Sequence, residues 1–246
     1  MKKRADILLV ELGLCASRAL AQKLVLAGQV RTGPDAVVQK ASDLYDPATT
    51  KFQIATPCPY VSRGAYKLLA ALEAFPPPLA GLVALDIGAS TGGFTDLLLQ
   101  RGVRKVYAVD VGHGQLHPKL RGDPRVVCLE KVNARYLSAT DVPEAVDLLV
   151  ADVSFISLKL ALPAPARRLR PGGWAFVLVK PQFEAGRAEV GKGGVVKEEA
   201  VRQRCIAEIR GFAESALGWR CLGVVPSPIK GPAGNQEYVA AFQAHP

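Results

Sequence analysis

At 246 residues, with 49% apolar and 22% charged side chains, the chain can build a sizeable core, which excludes wholesale disorder. Its net charge of +9 marks a polyanion as a candidate partner and says nothing about fold. Five widely spaced cysteines without a Cys-x-x-Cys pair exclude a disulfide framework or a zinc site and point to a reducing compartment.

The first elements are helical. Lys2-Lys3-Arg4 ahead of Ile7-Leu8-Leu9-Val10 imitates a signal peptide, but Asp6 and Glu11 interrupt the apolar stretch. The segment therefore reads as a helix of a cytoplasmic protein, and no apolar run approaches the ~18 residues of a membrane span. Ala5, Leu8, Leu9 and Leu12 form one helical face, and Ala19, Leu20, Leu24 and Ala27 form a second. Gly13 stops the first helix, Ser17 caps the second and Gly28 closes it. Short strands are expected at 30–32, 36–38 and 52–54, with a turn at Gly33-Pro34-Asp35. Thr56-Pro57-Cys58-Pro59 reads as a linker, so residues 1–60 form a small α+β domain and 61–246 a large one.

Beyond the linker, Ser62 is expected to cap a helix running towards Phe75, which Pro76-Pro77-Pro78 ends. Strands are expected at 82–87, 105–109, 125–129, 146–151, 174–179, 219–225 and 238–242, with helices at 93–101, 155–169 and 197–217. This alternation predicts an α/β fold, a parallel sheet covered on both faces. With no helix between the last two strands, the final one should return antiparallel.

A glycine-rich turn, Asp86-Ile87-Gly88-Ala89-Ser90-Thr91-Gly92-Gly93-Phe94, follows the first strand of that sheet, where α/β folds bind ligands. Its spacing matches neither Gly-x-Gly-x-x-Gly nor a phosphate loop, which favours a ligand without phosphates. Asp110, at the end of the second strand, suits ribose hydroxyls, and Asn133, past the third, suits an adenine edge. Together these fit S-adenosylmethionine, with Asp86, Gly88, Ala89, Ser90, Gly92, Phe94, Asp110 and Asn133 as its candidate contacts. A glycine turn beside an Asp also fits a plain tight βα connection.

Asp152, Lys180 and Glu237 should converge on the same sheet edge, with Lys67 from the preceding helix as a fourth member. Such a cluster suits deprotonation of an alcohol. A lysine becomes a base when desolvation and a neighbouring cation lower its affinity for the proton, and carboxylates hold it in place. Each charge taken alone also fits a surface salt bridge. Lys180 resists that reading, because a lysine ending a central strand is costly unless used or paired. Asp152-Val153-Ser154-Phe155 lacks the two prolines typical of exocyclic-amine methylation, and Cys58 in the linker is read as structural. No metal cluster is visible around His113, His117 or His245.

Long blocks carry a family likeness. They are Arg4-Ala5-Asp6, residues 60–68, 86–96 and 110–116, Asp152-Val153-Ser154-Phe155-Ile156-Ser157 and Lys180-Pro181-Gln182-Phe183-Glu184-Ala185-Gly186. On these the chain resembles the TlyA family, known both as hemolysin A and as ribosomal RNA 2′-O-methyltransferases. The resemblance implies an S4-type RNA-binding domain ahead of a Rossmann-like, seven-stranded S-adenosylmethionine-dependent methyltransferase domain. It implies a Lys-Asp-Lys-Glu tetrad falling on Lys67, Asp152, Lys180 and Glu237, and a cytidine ribose of ribosomal RNA as acceptor. One departure is Gly64-Ala65, where Gly-Gly is expected.

Arg4, Arg18, Lys23, Arg31 and Lys40 are the candidate RNA-phosphate contacts of the small domain. Two clusters, Lys119/Arg121/Arg125 and Arg167/Arg168/Arg170, either extend that path or solubilise helices. Residues 184–196 read as a mobile loop able to close over the acceptor. The expected partner is ribosomal RNA or a ribosomal subunit, without stable membrane association. A membrane-active hemolysin and a non-catalytic RNA-binding assembly factor are the competing readings.

Overall fold

The computed structural model describes residues 2–26, 28–33, 36–55 and 58–245. The chain divides into two compact units, Met1–Pro59 and Tyr60–Pro246. Ala27, the turn residues Pro34 and Asp35, and the linker residues Thr56 and Pro57 lie outside the described residues.

The smaller unit runs β1 (Lys3–Arg4), α1 (Ala5–Glu11), α2 (Arg18–Leu26), β2 (Val30–Arg31), β3 (Leu44–Tyr45) and β4 (Gln53–Ile54). β1 pairs antiparallel with β3, and β2 with β4. The two-residue strands β1 and β3 are too short to leave a period in the sequence. Ser17 does cap α2: the Leu20 N–H donates to its Oγ at 3.2 Å. The expected apolar face of α2 is wrong. Ala21 and Val25 are buried, while Ala19 and Leu20 are exposed. Six of its nine residues are apolar, so α2 has no unique stripe, and packing against α1 chooses the face.

Asp6, in the first turn of α1, is fully buried yet charged. Arg4 donates to both of its oxygens (2.9 and 3.1 Å), and Arg18 (3.0 Å) and Gln22 (2.9 Å) donate to Oδ2. Arg4 foremost, with Gln22 and Arg18, holds this carboxyl well below the usual carboxylate range despite its burial.

The larger unit continues with α3 (Ala65–Ala74), β5 (Val83–Ile87), α4 (Gly93–Gln100), β6 (Lys105–Asp110), α5 (Pro118–Arg121), β7 (Val126–Glu130) and β8 (Val146–Ala151). There follow α6 (Leu158–Ala161), α7 (Pro163–Ala166), β9 (Leu169–Val179), α8 (Pro181–Glu184), α9 (Glu199–Leu217), β10 (Trp219–Pro226) and β11 (Tyr238–Ala244). Ser62 does not cap α3, which starts from Gly64 without a side-chain hydrogen bond. The single helix expected over 155–169 is two short turns, because Pro163 and Pro165 lack the N–H that a continuous helix needs.

Among the described residues these strands form one seven-stranded sheet, ordered β10-β11-β9-β8-β5-β6-β7. β5 pairs parallel with β6 and β8, β6 with β7, and β8 with β9. β11 lies antiparallel between β9 and β10, the return expected of the last strand. Alternation along β5 builds the two-sided core. Val83, Leu85 and Ile87 pack on one face with Leu149, Ala151 and Val177, while Ala84 joins Leu148, Val150 and Phe176 on the other. Each such large side chain contributes about 1.5–3 kcal/mol by leaving water.

The register then fixes the rim. Ile87 pairs with Ala151, Ala151 with Val177, and Val179 with Tyr238. The residues just past β8 and β9 and just before β11 are therefore neighbours at one sheet edge.

Asp86 is the polar interruption of this core. Wholly buried in β5, it accepts a hydrogen bond from Thr95 Oγ1 (2.7 Å). Burial, reinforced by the charges of Asp152 and Asp110 and opposed by Thr95, pushes its carboxyl up to about 7. An unfolded aspartate titrates near ~4. Between those values the folded chain holds a proton that the unfolded chain has lost, so Asp86's contribution to stability falls as pH rises through that window. Asp86→Asn should remove this slope. In urea denaturation at pH 5 and pH 8, the variant should gain on the parent by a few kcal/mol, to order of magnitude, at the higher pH. An equal difference at both pH values would contradict the assignment.

Candidate active site

The turn from β5 to α4 forms the floor of the site. Gly88 has φ +79, and a Cβ there would stand 2.5 Å from the Asp152 carbonyl oxygen, so only glycine lets the β5 and β8 turns approach this closely. Gly88 and Ala89 donate their N–H groups to the Val109 carbonyl. Asp110 ends β6 and is aimed by two backbone donors, Ser90 N–H to Oδ2 (2.8 Å) and Gly112 N–H to Oδ1 (2.7 Å).

Two adjoining cavities open over this floor. The larger, about 300 Å³, is lined by Gly88, Ser90, Asp110, Asn133, Asp152 and Phe155, among others. The smaller, about 150 Å³, is lined by Ser62, Asp86, Ala89 and Phe94 and shares Gly88, Ser90 and Asp152 with the first. Seven of the eight candidate cofactor contacts thus lie in one continuous depression. Gly92 lines neither cavity. It caps α4 in the left-handed conformation, where a Cβ would collide with Leu120. Ser62, Gln115, Val132 and Ile156 also line the depression and went unassigned from sequence. Gln115 could have been suspected from its place in the turn after Asp110. Nothing local to Ser62 or Val132 announces them.

At the rim the four charged residues meet. Lys67 Nζ on α3 donates to Glu237 Oε2 (2.7 Å) and to Asp152 Oδ2 (3.4 Å). Lys180 Nζ, at the end of β9, lies 2.5 Å from Asp152 Oδ1. It makes its directed hydrogen bond to Ser154 Oγ at 2.8 Å. Asp152 is therefore shared by both ammonium groups. Lys67, Lys180 and Glu237 retain only 8%, 7% and 1% of their exposure, so the pairs act in low dielectric. Burial would lower Lys67's hold on its proton, but Asp152 and Glu237 outweigh it and raise its pKa. Gln182 Nε2 donates to Glu237 Oε1 (3.3 Å) and steadies the second carboxylate.

Around this cluster, Phe155 is 92% exposed with φ +63, a conformation unfavourable for a bulky residue. Its ring meets Phe183 at 5.1 Å. Residues 184–196, expected to be a mobile loop, are pinned at several points. Glu184 accepts from Ser157 Oγ (2.5 Å) and Leu158 N–H (2.8 Å). Glu189 pairs with Arg204, and the buried Val196 donates its N–H to Asn235 Oδ1 (2.9 Å).

The basic candidates separate. In the smaller unit Arg4 and Lys40 line a groove of about 400 Å³ with Gln22 and Gln39. Lys23 stands exposed on α2, Arg31 is half-buried, and Arg18 is tied to Asp6. In the larger unit Lys119, Arg121 and Arg125 pair with Asp96, Glu130 and Asp123, and Arg170 pairs with Asp147. Each of these pairings lies within the larger unit. Among the described residues no group of three His, Cys, Asp or Glu side chains is placed to hold a metal, and no helix is long and apolar enough to cross a membrane.

Comparison with known proteins agrees with this geometry. Residues 60–244 match the family of FtsJ-like methyltransferases. The 16S/23S rRNA (cytidine-2′-O)-methyltransferase TlyA of Mycobacterium tuberculosis is 47% identical over 239 residues, 96% of this chain and 88% of its own. Hemolysin A of Brachyspira hyodysenteriae is 40% identical over 234 residues, 94% of this chain and 95% of its own. A solved structure from Streptococcus thermophilus named as a hemolysin is 40% identical and superposes with a TM-score of 0.77, covering 99% of this chain and 89% of that one. Like other FtsJ-like methyltransferases, the enzyme takes its methyl group from S-adenosyl-L-methionine. Fold, site and likeness agree: this chain belongs to the TlyA family of FtsJ-like methyltransferases.

Proposed function

We propose that the enzyme methylates a ribose 2′-hydroxyl of ribosomal RNA, at a cytidine, with Lys180 as general base. The observation that carries this is the shared carboxylate of Asp152, which joins Lys180 and Lys67 beside the cofactor depression. The names of its relatives supply the substrate class.

The depression suits the cofactor on its own evidence. Asp86 Oδ1 is buried beside the smaller cavity and has no hydrogen-bond partner in the described protein, a position that an ammonium donor would satisfy. Asp110 keeps acceptor capacity for ribose hydroxyls, and Asn133 keeps its amide N–H groups for an adenine edge while its Oδ1 caps Arg135. Bound there, S-adenosyl-L-methionine supplies a methyl group on a sulfonium sulfur, and that sulfur retains the electron pair of the broken C–S bond. Lys180, once neutral, takes the 2′-hydroxyl proton, while the oxygen keeps the O–H electron pair and bonds to the methyl carbon. Lys67, held protonated by Asp152 and Glu237, keeps a second cation on the carboxylate that Lys180 also faces. The exposed Phe155 offers a stacking face for the acceptor base.

The smaller unit acts as an S4-type RNA-binding domain through Arg4, Arg18, Lys23, Arg31 and Lys40. The partner is ribosomal RNA or an assembled subunit, and the enzyme works in the cytoplasm.

Lys180→Ala should lower single-turnover methyl transfer to ribosomal RNA by about 10²–10⁴-fold. Its affinity for S-adenosyl-L-methionine in titration calorimetry should stay within a few-fold of the parent. Full activity in the variant would eliminate Lys180 as the base. Mass-spectrometric mapping of 2′-O-methylcytidine in ribosomal RNA, with and without the enzyme, tests the acceptor. Replacing Lys23 and Lys40 together with Gln should weaken RNA binding and reduce the slope of log K against log salt by about 1–2. An unchanged slope would remove these residues from the RNA contact.

A further inference from the structure

The family tetrad leaves open what aims the amine of Lys180. Asp152 Oδ1 is close, at 2.5 Å, but the contact lacks hydrogen-bond direction. The directed bond goes to Ser154 Oγ at 2.8 Å. Ser154 stands two residues beyond Asp152, in the turn after β8, and lines the cofactor cavity. That turn is fastened to the turn after β9 at two further points. Glu184 of α8 accepts from Leu158 N–H and Ser157 Oγ, and the Phe155 ring meets Phe183. Ser154 is therefore a fixed acceptor.

We infer that Ser154 is a positioning residue: its hydroxyl fixes the rotation of the Lys180 amine so that the lone pair, once exposed, points to the acceptor hydroxyl. A neutral amine has two N–H groups and one lone pair in tetrahedral array. With Asp152 Oδ1 packed against Nζ and Ser154 fixing one N–H, the remaining freedom is small. Without Ser154 the amine turns about the Cε–Nζ bond, and the hydroxyl proton has no aligned acceptor at the moment of transfer. The balance is that of the proposed reaction: the proton moves from the 2′-oxygen to Nζ, and the oxygen keeps the electron pair that bonds the methyl carbon.

This inference rests on the reading of Lys180 as base, and its test separates the two. Ser154→Ala should lower the single-turnover rate on ribosomal RNA by about tenfold or more. The KM for RNA and the Kd for S-adenosyl-L-methionine should remain within twofold. Ser154→Thr, which keeps the hydroxyl, should recover the rate to within a few-fold. In the cofactor-free protein, ¹⁵N-detected spectra should show the Lys180 ammonium protons exchanging with water faster in the Ala variant than in the parent or the Thr variant. An unchanged rate and exchange in the Ala variant, or failure of Thr to rescue, overturns the positioning role. An inactive Ser154→Ala accompanied by a fully active Lys180→Ala overturns the base instead. Should the parent itself transfer no methyl group, the exchange measurement still decides whether Ser154 holds the amine.

Discussion

Two lysines cannot share a desolvated pocket unless carboxylate charge lies between them. Here Asp152 carries that burden, with one oxygen towards Lys180 and the other towards Lys67. Glu237 completes the balance on the far side of Lys67, so two positive and two negative groups lie together, three of them buried and Asp152 half-buried. The arrangement is electrically neutral yet asymmetric. Lys67 has two carboxylate partners and holds its proton firmly, while Lys180 has one carboxylate and a hydroxyl. That asymmetry gives two chemically identical side chains different surroundings.

The large sheet makes this pairing possible through β11, which runs antiparallel to its neighbours. Parallel strands bring their C-terminal ends to a common rim, which delivers Asp152 and Lys180 from β8 and β9. A carboxylate preceding a strand reaches that rim only if the strand runs the other way. β11 does so, and its Tyr238–Val179 pairing places Glu237 beside Lys180's turn. Lys67 arrives from α3, whose buried Leu68, Ala71 and Leu72 pack on the same core face as Phe176.

Much of this was legible in the sequence because it depends on strand ends. Apolar runs with clear limits gave the large sheet, and polar residues at their ends gave the charged cluster and most of the residues that line the depression. What stayed hidden depends on tertiary choice. The buried face of α2 follows from what α1 offers, since α2 has apolar residues on several sides. Gly92 looked like a ligand contact but answers to Leu120, and glycine's permissiveness does not reveal which demand it meets. The glycine-rich stretch 184–196 looked mobile because its anchors, Arg204 and Asn235, lie well downstream in sequence.

Contacts from the start of that stretch stiffen the same rim. Glu184 follows Lys180 by four residues and reaches back to the turn carrying Ser154 and Phe155, tying Lys180, its hydroxyl partner and an exposed aromatic ring into one set. The left-handed backbone at Phe155 is costly for a bulky residue, and its ring rests against Phe183. Such strain persists only where neighbours over-determine it, and here they do: Glu184 from one side, the Lys180–Ser154 bond from the other. The polar network around Lys180 thus also holds the exposed aromatic ring at the cavity mouth, so the charged cluster and the ring depend on a single set of contacts.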